Sequence, residues 1–274
     1  DTAAAVFSAL HRVKQTMASP EYMLRFDAWG YDLQKGRVSL LCGTLHRDGA
    51  VHSWRGLMLD SARHYFSVTD ISKVLLHMAE LRLNVFHWHL TDDQGWRIDI
   101  PKYPALAQVG GRRGHNTNVA GARYNDTTVH AYAEPMYYSA VDVKVVEELA
   151  QLLHITIVPE IDVPAHSAAM LRAVDVMNRV AKTTARAKRV KPVLLEDIGV
   201  VEVHEKCGEH SSKDDVNFIG AVNCMGGTHG MLLPSANTTA MVEDIIDELV
   251  RLFPTSPYIH LGGDEADAFR DKVY

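Results

Sequence analysis

The sequence predicts an α/β protein made of parallel βα units, and two features of its pattern support this prediction. Short apolar runs alternate with segments of helical periodicity, in the order strand, helix, strand, helix, strand, helix, strand. Each apolar run also ends directly in polar residues. Continuous apolar strands are typical of parallel sheets covered on both faces, and polar residues at several strand ends indicate the catalytic face of a (β/α)8 barrel. A doubly wound sheet is the alternative, although no G-x-G-x-x-G follows the first strand.

The first βα unit follows Arg55. Gly56–Asp60 is predicted to be a buried strand because it is short and apolar. The next segment is predicted to be a helix with Thr69 as its N-cap. The inner face of this helix is predicted from apolar residues at helical spacing: Ile71, Val74, Leu75 and Met78. A second strand is predicted over Asn84–Leu90, and it runs into two adjacent aspartates.

The rest of the pattern adds two strands and three helices. After a long loop at 101–138, a helix is predicted with these residues on its inner side: Val145, Val146, Leu149, Leu152 and Leu153. The third strand is predicted over Ile155–Asp162, and residues 167–191 are predicted to be helical. An irregular insertion then precedes a last helix, Met241–Phe253, which leads into a fourth strand beginning at Tyr258.

Composition and charge narrow the class of protein. The 274 residues are 47% hydrophobic and 23% charged, which is ordinary for a globular domain. The net charge of -6 argues against nucleic acid as the main partner. No apolar run reaches the ~20 residues of a membrane-spanning helix. No secretory leader is visible at the first residues, which indicates either that none exists or that the chain is processed.

Two sequons and a cysteine pair favour a secretory route. Asn125-Asp126-Thr127 and Asn237-Thr238-Thr239 are N-glycosylation acceptors in loop-like sequence. Cys207 and Cys224 flank a loop rich in Gly, Ser and Asp, and we predict that they close it as a disulfide. Two free thiols are the alternative, and the absence of C-x-x-C spacing argues against a zinc knuckle. We therefore expect a lysosomal or extracellular location.

Near the end of the chain, two adjacent carboxylates follow a short apolar run and two glycines, in the string YIHLGGDE from Tyr258. Neighbouring side chains of a strand point to opposite faces, so Asp264 and Glu265 share a site only if the strand has already ended. Two carboxylates held close together ionise unequally, which leaves an acid beside an anion. Glycoside cleavage needs that combination. A solvated turn is the structural alternative.

Polar residues gather at four predicted strand ends. They are Arg55 and Asp60; His87, His89, Asp92 and Asp93; Asp162 and His166; and Asp264 and Glu265. The strings that carry them are RGLMLDSARHYF from Arg55, LNVFHWHLTDDQGWRI from Leu83, IVPEIDVPAH from Ile157 and HLGGDE from His260. Together these strings resemble family 20 glycoside hydrolases, the β-N-acetylhexosaminidases, over residues 55–274.

The resemblance implies hydrolysis of terminal non-reducing N-acetyl-D-hexosamine residues from β-linked glycans, without a metal or a cofactor. The implied mechanism is retaining and substrate-assisted, so the nucleophile is the sugar's own acetamido oxygen, which closes an oxazolinium ring. By position, Glu265 is implied as general acid and base, and Asp264 as the anion that orients the acetamide. His166 and Asp92 are implied as a relay behind Glu265. Arg55 is implied as a hydrogen-bond donor to the hydroxyls of the terminal sugar.

Several of these residues also have structural alternatives. For Arg55, the alternative is a pairing with Asp60 at a strand end. For His166, the alternative is a satisfied loop histidine. His87 and His89 lie on one side of their strand and are interpreted as hydrogen-bonded interior residues. The same H-x-H pair supports a rival hypothesis, a zinc-dependent barrel hydrolase. A third alternative is a glycan-binding protein without catalysis.

The resemblance places HLGGDE at the end of the fourth barrel strand. We therefore expect residues 55–274 to form the first half of a barrel, preceded at 1–54 by a small α/β cap or domain remnant. The other half is expected from a second polypeptide or a separated C-terminal fragment. The chain alone is then expected to be poorly soluble or inactive, because open sheet edges and apolar faces aggregate. The expected substrates are β-linked glycans ending in N-acetylglucosamine or N-acetylgalactosamine, and enzymes of this type are often dimers.

Overall fold

A computed structural model describes residue 7 and residues 50–112, 134–188, 199–200 and 231–266 of the chain. The predicted α/β cap at 1–54 lies almost entirely outside the described residues. The described strands are β1 (Gly56–Asp60), β2 (Val85–Asp92), β3 (Gly95–Trp96), β4 (Thr156–Ile161), β5 (Gly199–Val200) and β6 (Met231–Leu232). The described helices are α1 (Val68–Glu80), α2 (Ala140–Leu152), α3 (Ala168–Lys188) and α4 (Ala236–Leu252), with a π-helical turn at Leu106–Gly110. None of these described helices has both the length and the apolar character needed to cross a bilayer.

The central sheet is built on β2, which pairs in parallel with β1 on one side and with β4 on the other. Met58 of β1 and Val158 of β4 both lie opposite His87 of β2. The short β3 returns antiparallel to the end of β2 and makes the sheet mixed. Successive parallel strands joined by helices confirm the predicted α/β class. They also bring the carboxyl ends of β1, β2 and β4 to the same edge of the sheet.

The N-cap of helix α1 lies two residues before the predicted one. Ser67, in extended conformation, accepts a hydrogen bond from the Asp70 amide at 3.2 Å, so Ser67 and not Thr69 is the N-cap. Thr69 lies in the first turn of the helix. The predicted inner face is confirmed where it meets the core, because Ile71, Leu75 and Met78 are buried.

The predicted inner face of helix α2 is confirmed in part, because Val146 is buried and Leu149 and Leu153 pack against the core. Val145 and Leu152, predicted to point inward, are exposed. The buried positions include Val143, Val146 and Ala150. A run of adjacent apolar residues is compatible with more than one helix face, so periodicity alone could not select the correct one.

The predicted fourth strand is reduced to a single parallel bridge between His260 and Glu160. The His260 amide donates to the Pro159 carbonyl at 2.9 Å, and the Ile161 amide donates to the His260 carbonyl at 3.1 Å. Extended pairing then stops, because Gly262 and Gly263 adopt left-handed φ angles of 64° and 96°. The chain thereby turns at the carboxyl end of β4, where the two adjacent carboxylates follow.

Candidate active site

His166 lies between two pairs of carboxylates at the carboxyl edge of the sheet. Its ring is buried, and its Nδ1 atom lies 3.3 Å from Asp93 Oδ2 and 3.5 Å from Asp92 Oδ1. Its Nε2 atom lies 3.3 Å from Glu265 Oε2 and 3.7 Å from Asp264 Oδ2. The structure therefore brings together the four residues that the sequence named as catalytic candidates.

Asp92 is the last residue of β2, Asp93 follows it, and both are buried. Asp92 Oδ1 accepts the Asp93 amide at 2.6 Å, and Asp93 Oδ1 accepts the amide of Ala168, the first residue of α3, at 3.0 Å. Arg63 Nη2 lies 2.8 Å from Asp92 Oδ2. The N-terminus of α3 faces Asp93 and a guanidinium faces Asp92, and both of these groups favour nearby negative charge.

The charges around His166 support one another. Burial alone would raise the pKa of Asp92, but hydrogen bonds from His166 and His89 and the charge of Arg63 hold it well below its usual range. Hydrogen bonds to Asp92 and Asp93 raise the pKa of His166 to about 11, although burial opposes the rise. At neutral pH, His166 is therefore an imidazolium that faces Glu265.

The turn that carries the carboxylate pair is fastened to Asp162. The Gly263 amide donates to Asp162 Oδ1 at 3.2 Å, and the Val163 amide donates to the Leu261 carbonyl at 3.0 Å. A Cβ atom on Gly262 would lie 2.0 Å from Asp162 Oδ1, so this position requires glycine for space as well as for its φ angle. Burial raises the pKa of Asp162 to about 6, and the Gly263 amide opposes the rise.

The interior histidines predicted on β2 are confirmed as hydrogen-bonded to their neighbours. His87 Nε2 lies 2.6 Å from Glu160 Oε2, and His89 Nδ1 lies 2.7 Å from the same oxygen. The other ring nitrogen of His89 lies 2.9 Å from Asp92 Oδ2. Among the described residues, His87, Glu160 and His260 lie close enough to share a cation, and their hydrogen bonds account for the same proximity.

Arg55 is not brought to this site. It precedes β1, at the amino end of the strand, where its Nε donates to the Arg82 carbonyl at 2.7 Å and its Nη1 donates to the His52 carbonyl at 2.7 Å. The alternative pairing of Arg55 with Asp60 is also not what these contacts show, because Asp60 binds Arg63 at 2.7 Å. Sugar binding by Arg55 stays a prediction that these contacts do not support.

The remaining predicted sites fall partly outside the described residues. Asn125, Cys207 and Cys224 lie outside them. Asn237 is described and is exposed in the first turn of α4, followed by a buried Thr238. Its side chain is therefore accessible, whereas its glycosylation stays a prediction.

Two site residues received no role from the sequence. Arg63 pairs with Asp60 and Asp92, and Glu160 contacts the interior histidines His87 and His89. A signal for Glu160 was present, because it is a lone charge inside the apolar run of the third strand. A buried carboxylate needs partners, and the H-x-H of the neighbouring strand offered them.

Comparison with known proteins adds a family to this geometry. Residues 52–271 match the catalytic domain of Glycosyl hydrolase family 20. The chain is 33% identical over 227 residues to a beta-hexosaminidase of Porphyromonas gingivalis, which covers 83% of this chain and 23% of that protein.

Solved structures give the same result. The chain is similar to the N-acetyl-beta-hexosaminidase of Streptomyces plicatus, with 28% identity and a TM-score of 0.52 over 80% of this chain and 34% of that chain. It is similar to the GH20 exo beta-N-acetylglucosaminidase of Vibrio harveyi, with 28% identity and a TM-score of 0.52 over 78% of this chain and 27% of that chain. This chain thus spans from 23% to 34% of the length of these relatives. It belongs to glycosyl hydrolase family 20.

Proposed function

We propose that the enzyme built from this chain hydrolyses terminal non-reducing N-acetyl-D-hexosamine residues from β-linked glycans. Family membership supports this proposal, as do the relatives named beta-hexosaminidases. The similar Vibrio harveyi structure was solved in complex with N-acetylglucosamine. The observation that carries the proposal is the contact between Glu265 and His166, which is buried against two aspartates.

We infer a retaining mechanism in which the substrate supplies the nucleophile. Glu265 donates its proton to the glycosidic oxygen while the acetamido carbonyl oxygen attacks the anomeric carbon, so the glycosidic bond breaks and an oxazolinium ring forms. Asp264 accepts a hydrogen bond from the acetamido N–H and stabilises the positive charge of the ring. Water then attacks the anomeric carbon, Glu265 removes its proton, and the ring opens to return the acetamide.

His166 supports the proton transfer by Glu265. A cation next to the general acid stabilises the carboxylate that remains after the proton has left. The distance of 3.3 Å places the His166 ring beside the Glu265 carboxylate. Asp92 and Asp93 keep His166 protonated and oriented from its other nitrogen. The resemblance implied this relay with Asp92 alone, and Asp93 is a further member.

We further propose that the described strands are one sector of a (β/α)8 barrel that other strands complete. Within the described residues, β1 pairs only with β2, and Leu57 and Met58 on this strand are 42% and 51% exposed. Exposed apolar residues on a strand edge are a site for further pairing. Asp264 and Glu265 are also exposed, whereas a glycosidase must exclude water from the reacting bond.

Those strands come from elsewhere than residues 1–274, such as a second polypeptide or a C-terminal fragment, and these residues alone are expected to be inactive. Mass analysis of the native enzyme tests this, and we expect either a companion polypeptide or a polypeptide longer than these residues. A soluble monomer of only these residues that hydrolyses N-acetylglucosaminides at ordinary enzymatic rates would contradict it.

The proposed route for this protein is secretory, to a lysosomal or extracellular location, with a glycan on the exposed Asn237. Treatment of the native protein with an N-glycosidase is expected to reduce its mass and to convert Asn237 to aspartate. An unmodified Asn237 peptide from the native protein would remove this part of the proposal.

The function is tested with two chromogenic substrates that differ only at the sugar's acetamido group. The native enzyme is expected to cleave the N-acetyl-β-glucosaminide and to leave the plain β-glucoside almost untouched, because only the former carries its nucleophile. A thiazoline mimic of the oxazolinium ring is expected to inhibit strongly. Equal turnover of both substrates would exclude the mechanism. Loss of activity with a chelator would instead favour the zinc hypothesis.

A further inference from the structure

Glu160 is the centre of a buried polar cluster that the proposed mechanism does not use. It lies on β4 and is 5% exposed. Its Oε2 atom lies 2.6 Å from His87 Nε2 and 2.7 Å from His89 Nδ1, and its Oε1 atom lies 2.9 Å from His260 Nδ1. Burying a carboxylate is costly unless hydrogen bonds compensate. Hydrogen bonds from His87 and His89, both on the neighbouring strand β2, provide that compensation and fix the orientation of Glu160.

His89 joins this cluster to the candidate active site. One ring nitrogen faces Glu160 Oε2 at 2.7 Å and the other faces Asp92 Oδ2 at 2.9 Å. Carboxylate oxygens accept hydrogen bonds, so both ring nitrogens must carry protons and the ring is an imidazolium. Burial opposes this charge, but hydrogen bonds to Asp92 and Glu160 raise the pKa of His89 to about 10. A continuous chain of contacts therefore runs from Glu160 through His89 and Asp92 to His166 and Glu265.

His260 joins the same cluster to the turn that carries the carboxylate pair. Its Nδ1 atom lies 2.9 Å from Glu160 Oε1 and 3.0 Å from the amide nitrogen of Gly262. The backbone of His260 is also the only bridge between β4 and this segment among the described residues. The Gly262 amide donates to His260 Nδ1, so the ring of His260 is fixed by the turn and lies against Glu160 without donating to it through this nitrogen.

We propose that Glu160 is a positioning residue for the general acid. Through His89 it keeps Asp92 oriented toward His166, whose other ring nitrogen faces Glu265. This inference rests on the proposed function, in which Glu265 transfers the proton. In this proposal Glu160 affects the rate of that transfer and does not contact the sugar.

The test is Glu160→Gln in the complete native enzyme. An amide keeps the shape of the side chain but replaces one acceptor oxygen by a donor. The carboxylate that stabilises the second proton of His89 is therefore lost. We expect kcat to fall about 10- to 100-fold, as for residues that orient the ligands of a catalytic centre. KM is expected to stay within about twofold, because ground-state binding is not altered.

A second readout does not depend on activity. The ring nitrogens of His89 are observed by 15N NMR at about pH 8, above the ordinary histidine pKa of about 6.5. We expect a doubly protonated ring in the natural protein and a neutral tautomer in Glu160→Gln. If the natural enzyme does not cleave N-acetylhexosaminides, the proposed function fails, whereas the spectra still decide whether Glu160 controls His89.

A matched control is Glu147→Gln. Glu147 is equally buried, at 6% exposure, and accepts hydrogen bonds from the Thr255 amide and hydroxyl on the outer side of the fold. It is expected to cost stability and to leave kcat and the His89 spectrum unchanged. If Glu160→Gln does not fold, His89→Gln replaces it and is expected to lower kcat in the same way.

Two results would overturn the proposal. The first is a Glu160→Gln enzyme, or a His89→Gln enzyme in its place, with natural kcat and KM. The second is a His89 ring that remains doubly protonated in Glu160→Gln. Loss of activity in Glu147→Gln to the same degree would also contradict it, because the effect would then be a general consequence of removing a buried carboxylate.

Discussion

The two sides of His166 are held very differently. On the Nδ1 side, Asp92 and Asp93 are buried and receive hydrogen bonds from the Asp93 and Ala168 amides. On the Nε2 side, the side chains of Asp264 and Glu265 are 69% and 58% exposed. The residues that support the proposed general acid, Glu265, are therefore built into the described fold, whereas the surroundings of Glu265 itself are not. Rigid supports fix geometry, and exclusion of water requires a cover that these residues do not provide.

The largest expected effect comes from the exposed side. Glu265→Gln removes the proposed proton donor, and kcat is expected to fall about 100- to 10,000-fold with a substrate whose leaving group needs protonation. The melting temperature is expected to stay unchanged, because the side chain is more than half exposed. Steady-state kinetics and a thermal melt of the native enzyme measure both. Glu148→Gln, at an exposed position of α2, is the control and is expected to change neither.

On the buried side of His166, we expect a smaller loss of kcat and a larger loss of stability. His166→Gln should lower kcat less, about 10- to 100-fold, but should destabilise the fold by about 3–5 kcal/mol, because two buried carboxylates lose their cation. Urea denaturation measures the stability. His77→Gln is the control, since His77 is exposed and its contact with Glu80, at 3.6 Å, is also exposed. A variant His166→Gln with natural stability would contradict the ionic support described for this side.

The same ionic support predicts how stability depends on pH. His166 and His89 have folded-state pKa values of about 11 and about 10, above the ordinary value near 6.5. The folded protein therefore holds these protons when the unfolded chain has released them. Their contribution is complete below about pH 6.5 and is lost as pH rises toward about 10 and 11. Urea midpoints are expected to decrease over this window, less steeply in His166→Gln, and constant midpoints would contradict the charged state of both rings.

The turn that carries the two carboxylates contains two glycines, Gly262 and Gly263, and a comparison of these two positions tests the contact with the buried Asp162. Both have positive φ, so an alanine at either position costs about 1–2 kcal/mol. At Gly262 a Cβ would also collide with the buried Asp162, whereas at Gly263 the nearest atom is 4.0 Å away. Gly262→Ala is therefore expected to destabilise the fold more than Gly263→Ala and to lower kcat further. Equal losses in stability and kcat would show that the contact with Asp162 does not position the turn.

Much of the fold follows from the sequence, because apolar runs fix β1, β2 and β4 and their parallel order. The meeting of Asp92, His166 and Glu265 follows from the same order, since the carboxyl ends of parallel strands share one edge. The strand at Tyr258 does not, because the two glycines end its pairing after a single bridge. The inner face of α2 was ambiguous in a run of consecutive valines and leucines.

Arg55 shows the limit of inference from resemblance alone. It precedes β1, so strand direction places it at the amino end, opposite the carboxylates. Family resemblance suggested a sugar contact, whereas the described contacts of its guanidinium are with backbone carbonyls. Glu160 shows the converse, because its partners come from two other segments and no single strand reveals them.

The central claim is that His166 acts on catalysis through Glu265. A double-mutant cycle with Glu265→Gln and His166→Gln tests it directly in the native enzyme, with kcat as the measured quantity. If His166 acts only through the acid, the double variant should be no slower than Glu265→Gln alone, because the relay then has no proton donor to support. Losses that multiply, as for two independent residues, would contradict the relay.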